Sequence, residues 1–238
     1  MIIAGLQKNS LVDYRGKVAA VVFAPFCNFN CYYCHNRLLL ETNPDKYRYN
    51  PMDEEDFFAF LDKRVGLLHG VVVTGGEPTL QKDLQEFIKR IREKGFPVKL
   101  DTNGGRPDVL KNLINANLLD TIAMDIKAPF ERYDEMCGVA VNHEAIKESI
   151  GLLMGSGLEY EFRTTVTPEF RLDDIRGIIK MIEGCKLYTL QQFRRPENHG
   201  EFADIRNAKK PLPRAFFDEA VELCRPHAEK VQTRGVNL

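Results

Sequence analysis

Six short runs of apolar and β-branched residues, each followed by a stretch with helical periodicity, constrain the fold of this 238-residue chain more than any other feature. Apolar strands that alternate with helices are typical of a parallel sheet whose faces are covered by helices. The runs span residues 18–24, 70–74, 97–102, 121–126, 160–167 and 187–193. Amphipathic helices are predicted at residues 53–65, 80–94, 107–117, 142–154, 172–183 and 213–223.

Six strand–helix units are too few to close an eight-stranded barrel. The sequence therefore predicts an α/β fold, a partial (β/α)6 TIM-like barrel that is open on one side. Because no internal repeat or linker divides the chain, we expect a single domain over residues 1–238. It would comprise an N-terminal extension (1–17), the six-strand barrel (18–193) and a C-terminal loop and helix (194–238), with a loop or lid at residues 196–200.

The composition argues against two classes of partner. With 33 basic and 34 acidic residues the net charge is −1, which gives no electrostatic basis for binding nucleic acid. The longest strongly apolar stretch, residues 18–26, is far too short to span a bilayer, and the N-terminus lacks a signal-peptide pattern. We therefore expect a cytoplasmic protein without nucleic-acid or membrane partners. A basic cluster is interpreted as solvated surface, or alternatively as a flavodoxin docking patch: Arg206, Lys209, Lys210 and Arg214.

Three cysteines, Cys27, Cys31 and Cys34, follow directly after the first predicted strand. Three thiolates at a CxxxCxxC spacing can hold three irons of a [4Fe–4S] cluster and leave the fourth iron open, whereas the usual arrangement has four cysteines. The alternative is a structural zinc site completed by His35, but zinc ligands usually come as two CxxC pairs. The remaining cysteines are isolated and are interpreted as small buried hydrophobes: Cys137, Cys185 and Cys224.

Other unusual residues also lie where predicted strands end, which is where parallel α/β folds place their chemistry. The second strand ends in Gly75, Gly76 and Glu77. Two glycines let backbone carbonyl groups approach a ligand closely, and the carboxylate adds an anionic acceptor, so this turn suits a protonated amino group.

The third predicted strand ends in Asp101, Thr102 and Asn103, and the fourth contains Asp125 and Lys127. A carboxylate in an apolar strand is costly to bury alone, so Asp125 needs a cation or a hydrogen-bond network. Lys127 points the same way because strand side chains repeat every two residues. It could meet a ligand carboxylate, or it could simply neutralise Asp125.

Residues 10–13, 27–36, 75–78, 101–104 and 125–127 together resemble the radical S-adenosylmethionine (SAM) superfamily, and within it the glycyl-radical-enzyme activases. The chain is most similar to the longer form of the activating protein of anaerobic ribonucleotide reductase, over essentially its whole length. The resemblance implies a partial barrel of the radical SAM type, a [4Fe–4S] cluster held by the three cysteines, and SAM chelated by the open iron.

The resemblance also implies roles for individual residues. Tyr33 would pack beside the adenine, and the Gly75–Gly76–Glu77 turn would bind the methionyl amine of SAM. Further SAM contacts would come from Asp101, Asn103, Lys127 and Arg163. A monovalent cation would be held by Asp101, Thr102 and Asp125, and Asp13 would hold the backbone of a substrate peptide.

The activity that the resemblance implies is reductive cleavage of SAM, with an electron from flavodoxin or ferredoxin, followed by removal of a hydrogen atom from a glycine Cα of a partner. The implied partner is the large subunit of anaerobic ribonucleotide reductase. Two departures bear on the peptide partner: Tyr14-Arg15-Gly16 replaces the usual Gly-Pro-Gly after the aspartate, and Arg37 replaces a proline.

Two other functions stay open. A radical SAM enzyme that acts on a small molecule, such as a deazaguanine-type synthase, would need further polar groups, which Arg194, Arg195 and His199 could supply. A non-catalytic zinc or iron–sulfur binding module would leave unexplained why Glu77, Asp125 and Lys127 all lie at strand ends.

Overall fold

The computed structural model describes residues 1–43, 46, 49–196 and 204–236. Within them the strands are β1 (Gly5–Ser10), β2 (Ala19–Ala24), β3 (Gly70–Gly75), β4 (Val98–Thr102), β5 (Thr121–Asp125), β6 (Glu159–Val166), β7 (Tyr188–Gln192) and β8 (Val231–Arg234). The helices are α1 (Glu54–Asp62), α2 (Leu84–Glu93), α3 (Pro107–Asn115), α4 (Phe130–Cys137), α5 (His143–Gly155), α6 (Leu172–Met181) and α7 (Arg214–Cys224). No helix in this part of the chain is long and apolar enough to cross a membrane.

The predicted α/β class is confirmed: the strands are ordered β1 to β8 in an eight-stranded sheet, and most of its pairings are parallel. All six predicted strands are present, as β2 to β7. The strand count was too low, because β1 and β8 are rich in polar residues and lack the continuous apolar run of a doubly covered strand. Helix α4 was also missed.

The chain divides into two compact units. The first contains residues 1–28, 36–102 and 106–122, and the second contains residues 29–35, 103–105 and 123–238. The cysteine motif is therefore shared, with Cys27 in the first unit and Cys31 and Cys34 in the second. The expected single domain stays a prediction.

The first unit is built on β2, which pairs in parallel with β3, while β3 pairs in parallel with β4 and β1 lies antiparallel to β2. The strands β2 and β3 are apolar on both faces, and Val21 and Val72 are almost completely buried. Helix α2 buries one stripe of side chains at the spacing of an amphipathic helix: Leu84, Phe87, Ile88 and Ile91. The parallel register of β2, β3 and β4 places their carboxyl ends, where candidate residues lie, along one edge of the sheet.

The second unit is built on β6, β7 and β8, which pair in parallel. The amide of Ile126, just after β5, donates to the carbonyl of Arg163 in β6 at 2.8 Å. Helix α6 buries Ile175, Ile178 and Ile179. The predicted loop or lid at residues 196–200 lies, apart from its first residue, outside the described residues, and so does His199.

Candidate functional site

The turn after β3, in the first unit, brings two stretches of backbone into direct contact. Gly76 N donates to Ala24 O at 2.8 Å, and Glu77 N donates to Phe26 O at 2.7 Å. Gly75 has a φ of +122°, and a Cβ on it would lie 2.3 Å from the oxygen of Ala24. A Cβ on Gly76 would lie 1.9 Å from the oxygen of Phe26. Both positions therefore require glycine.

The carboxylate of Glu77 stabilises this turn by accepting hydrogen bonds within it. Its side chain is buried, and Oε1 accepts hydrogen bonds from Thr79 N at 3.1 Å, from Thr79 Oγ1 at 2.5 Å and from Thr102 Oγ1 at 2.7 Å. Three hydrogen bonds to one carboxylate oxygen satisfy this buried polar group and fix its orientation. Sequence reasoning missed Thr79, although a hydroxyl residue two positions after a carboxylate is a common turn signal. It named Thr102 as a cation ligand and missed its bond to Glu77.

Lys99, which sequence reasoning also missed, joins two predicted site residues. It is buried in β4, and its Nζ donates to Asp101 Oδ1 at 2.7 Å and to the backbone oxygen of Asp13 at 2.8 Å. The side chain of Asp13 in turn accepts a hydrogen bond from Ser10 Oγ. The sequence could have indicated the contact between Lys99 and Asp101, because side chains two residues apart on one strand point to the same face.

The two residues that replace the family pattern after Asp13 have different surroundings. Tyr14 is buried against Ala19, Val21 and Val72, and its hydroxyl accepts a 3.4 Å hydrogen bond from Thr121 Oγ1. Arg15 is exposed. Tyr14 is thus part of the core of the first unit, while Arg15 faces solvent.

Replacing Tyr14 by leucine is therefore expected to lower the free energy of unfolding by about 1–2 kcal/mol, because packing and a hydrogen bond are both lost. The matched change Arg15→Ala removes an exposed side chain and should stay within about 0.5 kcal/mol of the parent protein. Urea unfolding followed by circular dichroism measures both variants. Equal effects of the two changes would contradict the assignment of Tyr14 to the core.

In the second unit, Asp125 forms a partly buried triad with two cations. Its Oδ1 accepts from Arg163 Nε at 2.8 Å, and its Oδ2 accepts from Lys127 Nζ at 3.0 Å. Burial alone would raise the pKa of the carboxyl, but the charges of Arg163 and Lys127 lower that pKa well below its usual range. For Lys127, burial opposes the charged form, and the carboxylate of Asp125 nevertheless raises its pKa. The sequence predicted that Asp125 needs either a cation or a hydrogen-bond network, and the structure gives it both.

The cysteine loop in the second unit is compact. Cys34 N donates to Cys31 O at 3.2 Å, and the side chain of Cys31 is buried. A hydrogen bond with Cys137 is the largest influence on Cys31; with the charge of Lys127 it outweighs burial and lowers the pKa of the thiol to about 7. Thiolates are the form that binds metal, so Cys31 is suited to be a ligand.

Tyr33 lies between these cysteines in sequence and is also buried. Burial raises the pKa of its hydroxyl, which has no hydrogen-bond partner within the described residues. Asn103 uses its Oδ1 to accept from Gly105 N at 2.8 Å. His35, the candidate fourth zinc ligand, is hydrogen-bonded to the backbone of Arg194, and burial lowers the pKa of its imidazole.

No three His, Cys, Asp or Glu side chains in the described part of the chain form a group that could hold a metal ion. For the predicted monovalent cation, Asp101 is bound to Lys99, Thr102 to Glu77, and Asp125 to two cations. That site remains a prediction.

Residues 21–182 match the family model of the radical SAM superfamily, and the chain therefore belongs to this superfamily. Among curated relatives, a Methanocaldococcus jannaschii protein described as "Putative glycyl-radical enzyme activating enzyme" is 34% identical, over 99% of this chain and 97% of the relative. The 7-carboxy-7-deazaguanine synthase of Thermococcus kodakarensis is 29% identical, over 69% of this chain and 70% of the relative.

Solved structures share the fold. QueE from Escherichia coli superposes with a TM-score of 0.56 at 16% identity, over 98% of this chain and 94% of that one. SuiB of Streptococcus suis, bound to its precursor peptide SuiA, gives 0.67 at 14% identity over 90% of this chain. This chain spans about half of the SuiB chain, 48%. These similarities show the fold alone, and they confirm the predicted partial barrel of the radical SAM type.

The residues present fit the [4Fe–4S] cluster and SAM that the superfamily implies. The chain supplies three thiols at the required spacing, and Cys31 is biased toward the thiolate. Gly75 and Gly76 let the turn after β3 lie directly against the backbone of Ala24 and Phe26, immediately before Cys27. The hydroxyl of Tyr33 is a buried polar atom without a partner among the described residues.

Proposed function

We propose that this protein is a glycyl-radical-enzyme activase that uses SAM and acts on anaerobic ribonucleotide reductase. The observation that carries the proposal is the 34% identity with a relative described as a "Putative glycyl-radical enzyme activating enzyme", because it extends over 99% of this chain. The expected setting is cytoplasmic and anaerobic, with flavodoxin or ferredoxin as the electron donor.

Cys27, Cys31 and Cys34 would hold the cluster. When bound and reduced, this group would supply the single electron for homolytic cleavage of the C5′–S bond of SAM, and hydrogen-atom removal from a glycine Cα of the partner would follow. The task of the chain is to orient SAM and to exclude water.

The triad of Asp125, Lys127 and Arg163 carries one negative and two positive charges, and hence a net charge of +1. A buried net cation stabilises an anion, so Lys127 and Arg163 suit the carboxylate of SAM. Glu77 holds the glycine turn in the shape that would receive the methionyl amine. Tyr33 would pack beside the adenine, and Asp101 and Asn103 would complete the contacts to SAM.

A turn beside Asp13 suits the partner peptide. Leu11 and Val12 are apolar yet 75% and 71% exposed, and they stand next to Asp13, whose backbone oxygen is held by Lys99. Exposed apolar side chains beside a fixed polar group are typical of a surface that binds protein. The turn formed by residues 10–13 is therefore the proposed contact for the glycine-bearing loop.

The decisive experiment mixes the anaerobically reconstituted, reduced protein with SAM and the large subunit of an anaerobic ribonucleotide reductase. We expect a glycyl doublet in the EPR spectrum of the partner and one 5′-deoxyadenosine per radical. Cys31→Ala should abolish both signals, because it removes a cluster ligand. Deoxyadenosine without a doublet would contradict the proposed partner, and neither signal from a protein with a full cluster would contradict the activity.

A second candidate is a radical SAM synthase of the deazaguanine type. It is supported by the 29% identity with the Thermococcus kodakarensis enzyme, which extends over 69% of this chain. Formation of 7-carboxy-7-deazaguanine by the reconstituted protein, with no doublet on any glycyl radical enzyme, would favour this function over the activase.

A further inference from the structure

The end of helix α4 is packed against the cysteine loop at the level of the backbone. Cys137 is the last residue of α4, and its carbonyl oxygen accepts a hydrogen bond from Asn30 N at 2.7 Å. The next residue, Gly138, has a φ of +66°, and a Cβ on it would lie 2.6 Å from the oxygen of Asn30. The helix end and the residue before Cys31 are therefore held in one arrangement.

The side chains meet at the same place. Cys31 and Cys137 are both buried, with 7% and 0% exposure, and the influence of the Cys137 side chain, as a hydrogen-bond partner, is the largest on the pKa of the Cys31 thiol, which it lowers. The other two buried cysteines differ, because burial dominates and raises the pKa of both Cys185 and Cys224 to about 12. Cys137 is thus the buried cysteine that influences a predicted cluster ligand.

The direction of this hydrogen bond follows from the chemistry of a ligand. A cysteine that is bound to iron is a thiolate and has no proton to donate. Once Cys31 is a ligand, Cys137 must be the donor, through S–H to the sulfur of Cys31. A hydrogen bond to a cluster sulfur disperses the negative charge that a cluster gains on reduction, and such bonds are among the determinants of cluster potential.

We propose that Cys137 is a positioning residue that donates an S–H···S hydrogen bond to Cys31 and thereby raises the reduction potential of the [4Fe–4S] cluster. This inference rests on the proposed cluster site but not on the identity of the partner enzyme. The backbone bond between Asn30 and Cys137 keeps the donor in place, and the burial of both sulfurs keeps water from competing for the bond.

The test is a potentiometric titration of the reconstituted protein without SAM, with the reduced cluster measured by EPR. Cys137→Ala removes the donor and should shift the midpoint potential to a more negative value. Cys137→Ser keeps a donor, so it should retain a full cluster and restore a potential near that of the parent protein. Cys224→Ala removes an equally buried sulfur elsewhere and should cause no shift.

The iron content of each protein shows whether a negative result concerns the cluster site or only the role of Cys137. A parent protein that binds no cluster would overturn the cluster site itself. An unshifted potential in Cys137→Ala, or an equal shift in Cys224→Ala, would overturn only the role of Cys137. Loss of the cluster in Cys137→Ser would make Cys137 a ligand and contradict the proposal. If Cys137→Ala holds no cluster but Cys137→Ser does, a donor at this position is required, as proposed.

Discussion

Replacing Gly76 by alanine should abolish SAM cleavage and lower the free energy of unfolding by about 3 kcal/mol, the upper end for overpacking a closed site. The added Cβ would lie 1.9 Å from the oxygen of Phe26, a backbone atom that cannot rotate away. That oxygen also accepts the hydrogen bond from Glu77 N. Any backbone shift that relieves the clash would therefore displace Glu77, whose carboxylate stabilises the turn. Deoxyadenosine formation and urea unfolding measure the two effects.

Gly151 provides the matched control, because it is an exposed glycine within helix α5 and a Cβ there would meet nothing within 4 Å. Gly151→Ala should keep full activity and gain about 0.5–1 kcal/mol, since alanine is favoured over glycine in helices. An active Gly76→Ala protein would refute the view that this turn has no room for a side chain.

Replacing Asp125 by asparagine should lower the free energy of unfolding by about 3 kcal/mol, which is typical when one partner of a buried ion pair is removed. The change keeps the shape of the side chain but leaves Arg163 and Lys127 as two neighbouring cations, 9% and 17% exposed, without a counter-charge. Only 27% of the Asp125 side chain is exposed, so water cannot replace the lost charge fully. Chemical unfolding at neutral pH measures the loss.

The same pair of proteins gives a pH test. The folded state lowers the pKa of Asp125, so its stabilising contribution is complete above the unfolded-state pKa of about 3.9. The parent protein and Asp125→Asn should differ in their free energy of unfolding by a constant amount from neutral pH to about pH 5. This difference should become smaller as the pH falls below about 4. If the difference in the free energy of unfolding stayed constant down to strongly acidic pH, the charge of the Asp125 carboxylate would not be the cause of that difference.

Asp108→Asn is the matched control for this change. Asp108 accepts hydrogen bonds from Arg106 at 2.9 and 3.0 Å, but both side chains are largely exposed, so the pair is screened by water. Exposed ion pairs contribute about 1 kcal/mol or less. A loss equal to that of Asp125→Asn would mean that burial of the triad has no energetic consequence.

The elements that the sequence predicts well are those whose pattern has one physical explanation. A run such as Val21, Val22 and Phe23 has no polar face, so it must be covered on both sides, and this identified β2. The edge strands β1 and β8 have many polar side chains, as in the pair Gln232 and Arg234 of β8. These two strands join the sheet by pairing with β2 and β7, and the local sequence of an edge strand does not indicate which strand it pairs with.

The same limit applies to the candidate site. The burial of Asp125 and its pairing with Lys127 could be predicted, because both follow from residues two positions apart on one strand. The bond between Glu77 and Thr102 and the contact between Cys31 and Cys137 could not. They join residues that are distant in sequence, and the fold alone brings such residues together.

Lys99 has a consequence for the order in which the chain is assembled during synthesis. Its Nζ reaches the backbone of Asp13, 86 residues earlier in the chain. The turn at residues 10–13 leaves the ribosome before β4, so Lys99 cannot hold it until β4 has emerged. Contacts over such a separation require closure of a long loop and therefore form slowly. This turn is therefore translated well before β4 but becomes fixed only after β4 has formed.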